Sequence, residues 1–378
     1  MTMTATEIAQ ELVRIPSVNP AYDSASPGEG AVVDWLENWG RSNGLEPGRQ
    51  PCLEGRDNIN FTLSHGDGPH LLFNGHTDTV SVAGMTIDPF SGDIRDGRLW
   101  GRGATDMKGP LAGMLATLLR LRSRDDWSGS LTVSCVVDEE YKYRGILSLL
   151  DANEPWDFAV VGEPTGMRVV RGCKGSCRFT IHTEGRAAHS SEPQHGANAI
   201  VGMAKAIPPM AEFFADGLGR FTREGFGPST GSIGLIEGGS GINIVPDRCS
   251  IAIDIRTVPG QDWRDTLSEL ESHVRERCGD LGAVKLIFDE PSHFSPSFET
   301  DADHPLVKTA QALADHREPE VVPFGCDGSK IAARDIPTIV LGPGHIDQAH
   351  TKDEYLDVKE LEQGAAAYEA LAVALLNR

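Results

Sequence analysis

The chain has little positive charge, no long apolar run and no cysteine framework. Against 55 Asp and Glu stand only 34 Lys and Arg, a formal net charge of -21 over 378 residues. So acidic a balance argues against nucleic acid as a partner and against docking on an anionic membrane. No stretch reaches the roughly 20 apolar residues that cross a bilayer. The first 17 residues carry Glu7 and Glu11 and no apolar core, so they do not read as a secretory leader. Seven cysteines, an odd number, fall at 52, 135, 173, 177, 249, 278 and 326 with no framework spacing. Cys173 and Cys177 bracket Lys174-Gly175-Ser176 without the further soft ligands a metal knuckle needs. Such usage fits a reducing compartment, and a cytoplasmic location is expected. Repeats and low-complexity tracts are absent.

Two catalytic devices are missing as well. The Gly-rich segment from Gly101 to Gly109 lacks the Gly-Lys-Ser/Thr ending of a phosphate-binding loop, because Lys108 is followed by Gly109 and Pro110. Gly238-Gly239-Ser240-Gly241 has the wrong flanking spacing for a nucleophile elbow.

What is present is a set of hard and borderline metal ligands, most of them just past a short apolar run: His76, Asp106, the pair Glu139-Glu140, Glu163 and His350. Leu71-Leu72-Phe73 precedes His76, the run 133–137 precedes Glu139, and Phe158-Ala159-Val160-Val161 precedes Glu163. Thr338-Ile339-Val340-Leu341 leads toward His350. Runs of this kind, bounded by Gly, Pro and Asp, read as buried strands. Open α/β sheets bind ligands beyond the carboxyl ends of their strands, so these segments are expected at one edge of one sheet. Asp78, two residues past His76, is placed to hold the second nitrogen of a ligating imidazole. Adjacent Glu139 and Glu140 alternate faces on a regular strand and can both turn inward only at a strand end. Paired carboxylates repel and need nearby positive charge, which a metal supplies. One could then bind metal while the other takes a proton from bound water. Taken singly, His-x-Asp or Asp-Glu-Glu would be an ordinary turn.

The organisation is α/β. Helices are predicted over 4–15, 29–43 and 107–122, the last with one broad apolar face, and strands near 58–64 and 70–74. A mixed, mostly parallel sheet with flanking helices follows. From about 175 the pattern changes to a strand over 176–184, a helix over 195–215 that Pro208-Pro209 should break or kink, strands over 230–237 and 246–257, a helix over 261–278 and a strand near 284–288. That β-α-β-β-α-β order is a ferredoxin-like split unit. Segments 304–315, 336–341 and 358–376 resume the first pattern. The expected division is a discontinuous catalytic domain, 1–174 and 288–378, with an inserted domain over 175–287.

The motifs together resemble the co-catalytic zinc amidohydrolase and exopeptidase family, which includes acetylornithine deacetylase, succinyl-diaminopimelate desuccinylase, aminoacylase and the glutamate carboxypeptidases. The resemblance rests on His76-Thr77-Asp78, Gly103-Ala104-Thr105-Asp106-Met107-Lys108-Gly109, Asp138-Glu139-Glu140, Gly162-Glu163-Pro164-Thr165, and His350 before Asp353-Glu354. The wording is closest to acetylornithine deacetylase, through His189-Ser190-Ser191, Gly196-Ala197-Asn198-Ala199-Ile200 and Leu341-Gly342-Pro343-Gly344. The resemblance implies two divalent ions, zinc first with cobalt as an alternative: His76 and Glu163 on one, Glu140 and His350 on the other, Asp106 bridging. It implies a cis bond after Asp106, Asp78 holding His76, and Glu139 as general base toward a metal-activated water. It makes the inserted domain a lid and homodimerisation domain. There His189 would contact the oxyanion from the partner subunit, and Asn243 and Arg256 would hold the substrate, Arg256 by a carboxylate-matching fork.

The expected reaction is hydrolysis of an N-acyl amino acid, N-acetylornithine first, which points to arginine biosynthesis. N-succinyl-diaminopimelate or a short peptide is the alternative in the same class. A catalytically inactive metal-binding dimer is the rival from another class, and the retained Glu139 argues against it. The segments Phe324-Gly325-Cys326-Asp327-Gly328-Ser329-Lys330 and Tyr141-Lys142-Tyr143 depart from acetylornithine deacetylase and leave the acyl group and side chain open.

Overall fold

A computed structural model describes residues 3–314 and 317–377. The expected 304–315 segment therefore ends one residue outside the described residues. The chain folds into two compact units. The first comprises Met1–Gly172, Glu299–Val321 and Cys326–Arg378, and the second Cys173–Phe298 and Val322–Gly325. The second unit runs on past residue 287 because His293–Ser295 pairs with the strand Gly175–Glu184.

In the first unit four strands lie side by side in parallel: Gly129–Val136, His70–His76, Phe158–Val161 and Thr338–Val340. Arg56–His65 and Pro47–Leu53 extend one side antiparallel, and Val170–Cys173 pairs antiparallel on the other. The central strands are buried on both faces, which accounts for their unbroken apolar runs. The helix Lys108–Leu121 differs from the single apolar face read in the sequence: it is buried nearly all round, apart from Arg120. It packs against the helices Ala5–Arg14 and Val358–Leu376 as well as the sheet, so helices cover the sides that solvent would otherwise take.

Lys108, itself fully buried, donates to the carbonyls of Leu12 (2.9 Å) and Ile15 (2.7 Å). It thereby satisfies the carboxyl-terminal end of the helix Ala5–Arg14, whose dipole favours a cation there. Burial pushes its pKa down to about 7. Among the described residues no helix is long and apolar enough to cross a membrane.

The second unit is an antiparallel sheet ordered Thr230–Gly238, Arg248–Thr257, Gly175–Glu184, Lys285–Phe288. The helices Ala199–Glu212 and Trp263–Arg277 pack together and share one apolar core with the sheet. Their order along the chain is the β-α-β-β-α-β order read from the sequence. Pro208 and Pro209 do not break the first helix; it continues to Glu212 and then loosens into a π-type turn at Phe213–Gly217. The carbonyls deprived of donors belong to Ala204 and Lys205, both exposed, where water can replace the lost bonds.

Candidate active site

The four parallel strands end together, and the candidate ligands leave from those ends. His76 is the last residue of its strand. Glu163 lies two residues past the strand Phe158–Val161. Beyond the strand Gly129–Val136, Asp138 takes a left-handed conformation (φ 65°). That turn breaks the strand alternation, so both following carboxylates point inward: Glu139 Oε2 lies 4.0 Å from His76 Nε2, and Glu140 Oε1 lies 3.2 Å from His350 Nε2. Asp106 arrives from the loop before the helix Lys108–Leu121, and the Asp106–Met107 bond is cis. Met107 seats that loop. Its methyl group occupies the space a Cβ would need on Gly75 and on Gly162, the residues just before His76 and Glu163. A side chain at either glycine would force the Met107 methyl out of that space.

Asp106 is the centre of the cluster. Its Oδ1 lies 3.1 Å from His76 Nε2, and its Oδ2 lies 3.2 Å from His350 Nε2. Glu163 Oε1 is 3.8 Å from His76 Nε2. Two overlapping groups result, His76 with Asp106 and Glu140, and His76 with Glu139 and Glu163, whose ligand atoms lie within 4.8 Å of one another.

The electrostatics are those of a pocket short of positive charge. Burial opposes ionisation of Asp106, but the bonds from His350 and His76 outweigh it and hold its carboxyl well below the usual range. Burial, and then the Asp106 charge, push Glu163 up to about 8 and Glu140 up to about 7. Burial also lifts Glu139 well above its ordinary value; His76 opposes this, while Glu163, Asp327 and Glu140 add to it. His76 is raised despite burial, through its bond to Asp106 and the charges of Glu163 and Glu139.

The residues fit divalent cations. Glu163 Oε1 is buried without any hydrogen-bond donor, a costly state for a carboxylate oxygen unless a cation meets it. His76 Nδ1 donates to the Asp78 carbonyl at 2.9 Å, so Nε2, on the Asp106 side, is the nitrogen that a cation would take in place of its proton. Imidazole and carboxylate together suit zinc and its neighbours.

Asp78 holds His76 through its backbone oxygen; its carboxylate stands farther off, at 3.6 Å from Nδ1. The carboxylate instead accepts from the amides of Glu139 (3.0 Å) and Glu140 (3.2 Å). Asn19 Nδ2 donates to both Asp78 (2.8 Å) and Asp138 (3.0 Å), and Asp138 also pairs with Arg56 and Arg144. Arg56 pairs in turn with the buried Glu29, and the sequence singled out none of Asn19, Arg56 and Glu29. The only signal for Asn19 is the turn Ser17-Val18-Asn19-Pro20, which names no chemistry.

A model of peptidase family M20/M25/M40 matches residues 72–374. The chain belongs to that family. It is accordingly a metal-dependent amidohydrolase by class. Among curated relatives, an acetylornithine deacetylase of Erwinia tasmaniensis is 33% identical over 93% of this chain and 92% of its own length. One of Proteus mirabilis is 32% identical over 95% and 93%. Among solved structures, a tripeptidase from Staphylococcus aureus superposes with a TM-score of 0.80 at 24% identity, covering 98% of each chain. A dinuclear metal-binding peptidase of family M20 from Bacillus subtilis gives 0.74 at 16% identity, over 98% of this chain and 97% of its own. At those identities the superpositions establish the family fold.

The remaining family candidates sit in the second unit. His189 and Asn243 are neighbours: His189 pairs with Ile244 across two short strands, and the Ser190 amide donates to the Asn243 carbonyl at 3.0 Å. Both side chains are exposed, with His189 Nδ1 at 2.7 Å from Ser191 Oγ. Arg256 lies on the strand Arg248–Thr257, where its guanidinium pairs with Asp254 at 2.9 Å. In the first unit, Asp327 and Lys330 of the divergent 324–330 segment are buried; Asn74 donates to Asp327 at 2.8 Å, and the Lys330 ammonium lies 4.3 Å from the centre of the Tyr143 ring.

Proposed function

We propose that this chain hydrolyses the amide of an N-acyl amino acid, with N-acetylornithine as first substrate and a place in arginine biosynthesis. The observation that carries the reading is Asp106: one carboxylate, with each oxygen against a different imidazole, is the arrangement a bridging ligand needs. His76 and Glu163 would hold one ion, Glu140 and His350 the other, and Asp106 both, with zinc the first choice and cobalt an alternative. When bound, the ions polarise the amide carbonyl and acidify water.

Glu139 is the general base. It is buried among the ligands, and its amide is fixed by Asp78, so the carboxylate is held within reach of the reacting atoms. As water attacks the carbonyl carbon, Glu139 takes its proton and returns it to the nitrogen as the C–N bond breaks, releasing the acid and the free amine. His189 and Asn243, exposed and adjacent, are suited to meet the developing oxyanion and the substrate, and Arg256 to take the α-carboxylate after leaving Asp254. The chain pairs with a second copy through the inserted unit. Supporting this, the strand Thr230–Gly238 is at the sheet edge and exposes Leu235 and Ile236 at 67% and 59%. A cytoplasmic location fits the free cysteines.

The test is primary-amine release from N-acetyl, N-succinyl and N-formyl amino acids and dipeptides, with zinc- or cobalt-loaded protein and a chelated control. Metal-dependent release led by N-acetylornithine supports the reading; release led by another conjugate keeps the mechanism and replaces the substrate. No release from any member with both ions bound overturns it in favour of an inactive metal-binding protein. Glu139→Gln should keep both ions and lose about 10²–10⁴-fold in kcat.

A further inference from the structure

The Gly-rich loop before Asp106 does present its backbone amides to an anion, and that anion is Glu354 of the chain itself. Glu354 is fully buried. Its Oε1 accepts from the amides of Thr105 (2.8 Å) and Asp106 (3.0 Å). Its Oε2 accepts from the Gly103 amide (3.1 Å) and from Arg102 Nη1 (2.7 Å). Three amides and a guanidinium thus converge on one carboxylate.

Arg102 extends the connection. Its other nitrogens donate to the Ser81 carbonyl (3.0 and 3.2 Å) and to the Thr351 carbonyl (3.1 Å), next to His350. Further bonds sew the same segments together: Tyr355–Asp357 pairs antiparallel with Arg98–Trp100, the Gly101 amide donates to the Glu354 carbonyl, and the Thr105 hydroxyl donates to the Tyr355 carbonyl. His350, four residues before Glu354, sits at φ 61°, a left-handed conformation uncommon for a non-glycine residue.

We propose that Glu354 is a positioning residue that locks the Asp106 loop and the His350 loop into one unit, so that Asp106 and His350, two of the three ligands of the His350-side ion, are presented together. The inference rests on the metal-centre reading above. The His76 side has locks of its own in Asp78 and Met107, whereas His350 depends on the Arg102–Glu354 clasp. Losing the Glu354 charge should therefore weaken one ion much more than the other. Glu354→Gln keeps the shape, but turns an NH2 group toward the Gly103 amide and Arg102, setting donor against donor.

The experiment is calorimetric titration of metal-free Glu354→Gln and wild-type protein with zinc, with metal analysis and thermal melts of the metal-free forms. The weaker of the two ions should lose roughly 10–100-fold in affinity, the scale of lost outer-shell partners, and the tighter one far less. Excess zinc should restore turnover, and Glu354→Asp, which keeps the charge, should recover part of the affinity. Wild-type affinities for both ions in Glu354→Gln would overturn the proposal, as would equal losses at both. If Glu354→Gln does not fold, Arg102→Lys decides: it keeps the charge and loses the fork to Ser81 and Thr351, so the weaker ion alone should loosen, and an unchanged titration overturns the proposal. Wild-type protein that takes up no zinc would overturn the metal-centre reading itself, and this inference with it.

Discussion

The two ends of the Asp106 carboxylate are built differently. At one end His76 is 1% exposed, its Nδ1 is fixed by the Asp78 carbonyl, and its neighbours Glu139 and Glu163 are buried. At the other end the His350 side chain is 53% exposed, and what fixes it is its backbone. The same donor types meet the same carboxylate at nearly the same distances, 3.1 and 3.2 Å. Geometry at the ligand atoms therefore does not distinguish the two halves; their support does. A buried half held from several strands should bind its ion tightly and exchange it slowly. A half on a surface loop should bind more weakly and open first.

Exchanging the two histidines for alanine breaks the comparison most directly. His76→Ala should remove the buried ion and, by leaving Glu139, Glu163 and Asp106 facing one another without a cation, destabilise the fold as well. Turnover should fall by roughly 10³-fold or more, the several kcal/mol that a polarising ion supplies. His350→Ala should leave the buried ion in place and lower the melting temperature of the metal-free protein less than His76→Ala does, because the half-exposed side chain gives up little packing beyond its bonds to Asp106 and Glu140. Metal analysis and melts of the two variants check this. Equal loss of both ions in the two proteins would mean that the halves are not separable.

Graded chelation, followed across pH, sharpens the same contrast. In the metal-free protein Glu163 and Glu140 titrate at about 8 and about 7, above their ordinary value of 4.5, because of burial first and the Asp106 charge second. A carboxyl raised on folding contributes stability below its unfolded pKa and loses it as pH rises through the folded one. His350, raised to about 10 by its bonds to Asp106 and Glu140, likewise contributes below its unfolded value of 6.5 and loses that as pH climbs toward 10. Both trends have one sign. Metal-free protein should melt lower at pH 8.5 than at pH 5.5, and the gap between loaded and metal-free melts should widen as pH rises. A metal-free melting temperature that rises over that interval would contradict the cluster's charge balance. Under limiting chelator at fixed pH, the ion on the His350 side should leave first.

The candidate ligands of both halves could be picked out in the sequence for one physical reason. Each follows a strand or loop boundary, and parallel strands bring their carboxyl ends to one edge. His76, Glu139 and Glu163 needed only apolar runs and their terminators. The inward turn of both Glu139 and Glu140 was readable as a requirement, while its device, the left-handed Asp138, was not. The supports were largely illegible. The strands Asp93–Arg95, Arg98–Trp100 and Tyr355–Asp357 are three residues each, too short to show a period, yet they carry the clasp that holds His350. Glu354 stood in the Asp353-Glu354 motif without a role of its own, since nothing local marks a carboxylate whose donors lie some 250 residues away. Pro208 and Pro209 were expected to break or kink their helix; it continues to Glu212, because the cost of an interior proline depends on whether the freed carbonyls reach water.

The finest test of the comparison lies two contacts away from any ion. Asn19 bridges Asp78 and Asp138 from the buried side, and Asp78 in turn fixes the Glu139 and Glu140 amides. Asn19→Ala leaves two buried carboxylates short of a donor, worth about 1–3 kcal/mol of stability. Its effect on metal should be near the low end for outer-shell partners, about 10-fold, and should fall on the His76 side, where Asp78 also supplies the carbonyl for Nδ1. Glu140 complicates that expectation, since its amide shares the Asp78 carboxylate while its side chain serves the other ion. If zinc titration of Asn19→Ala loosens only the tighter ion, the outer support of the two halves is separate even though they share Asp106 and one turn. If both ions loosen alike, the Asp138 turn couples them, and the difference between a buried and an exposed half ends at the imidazoles.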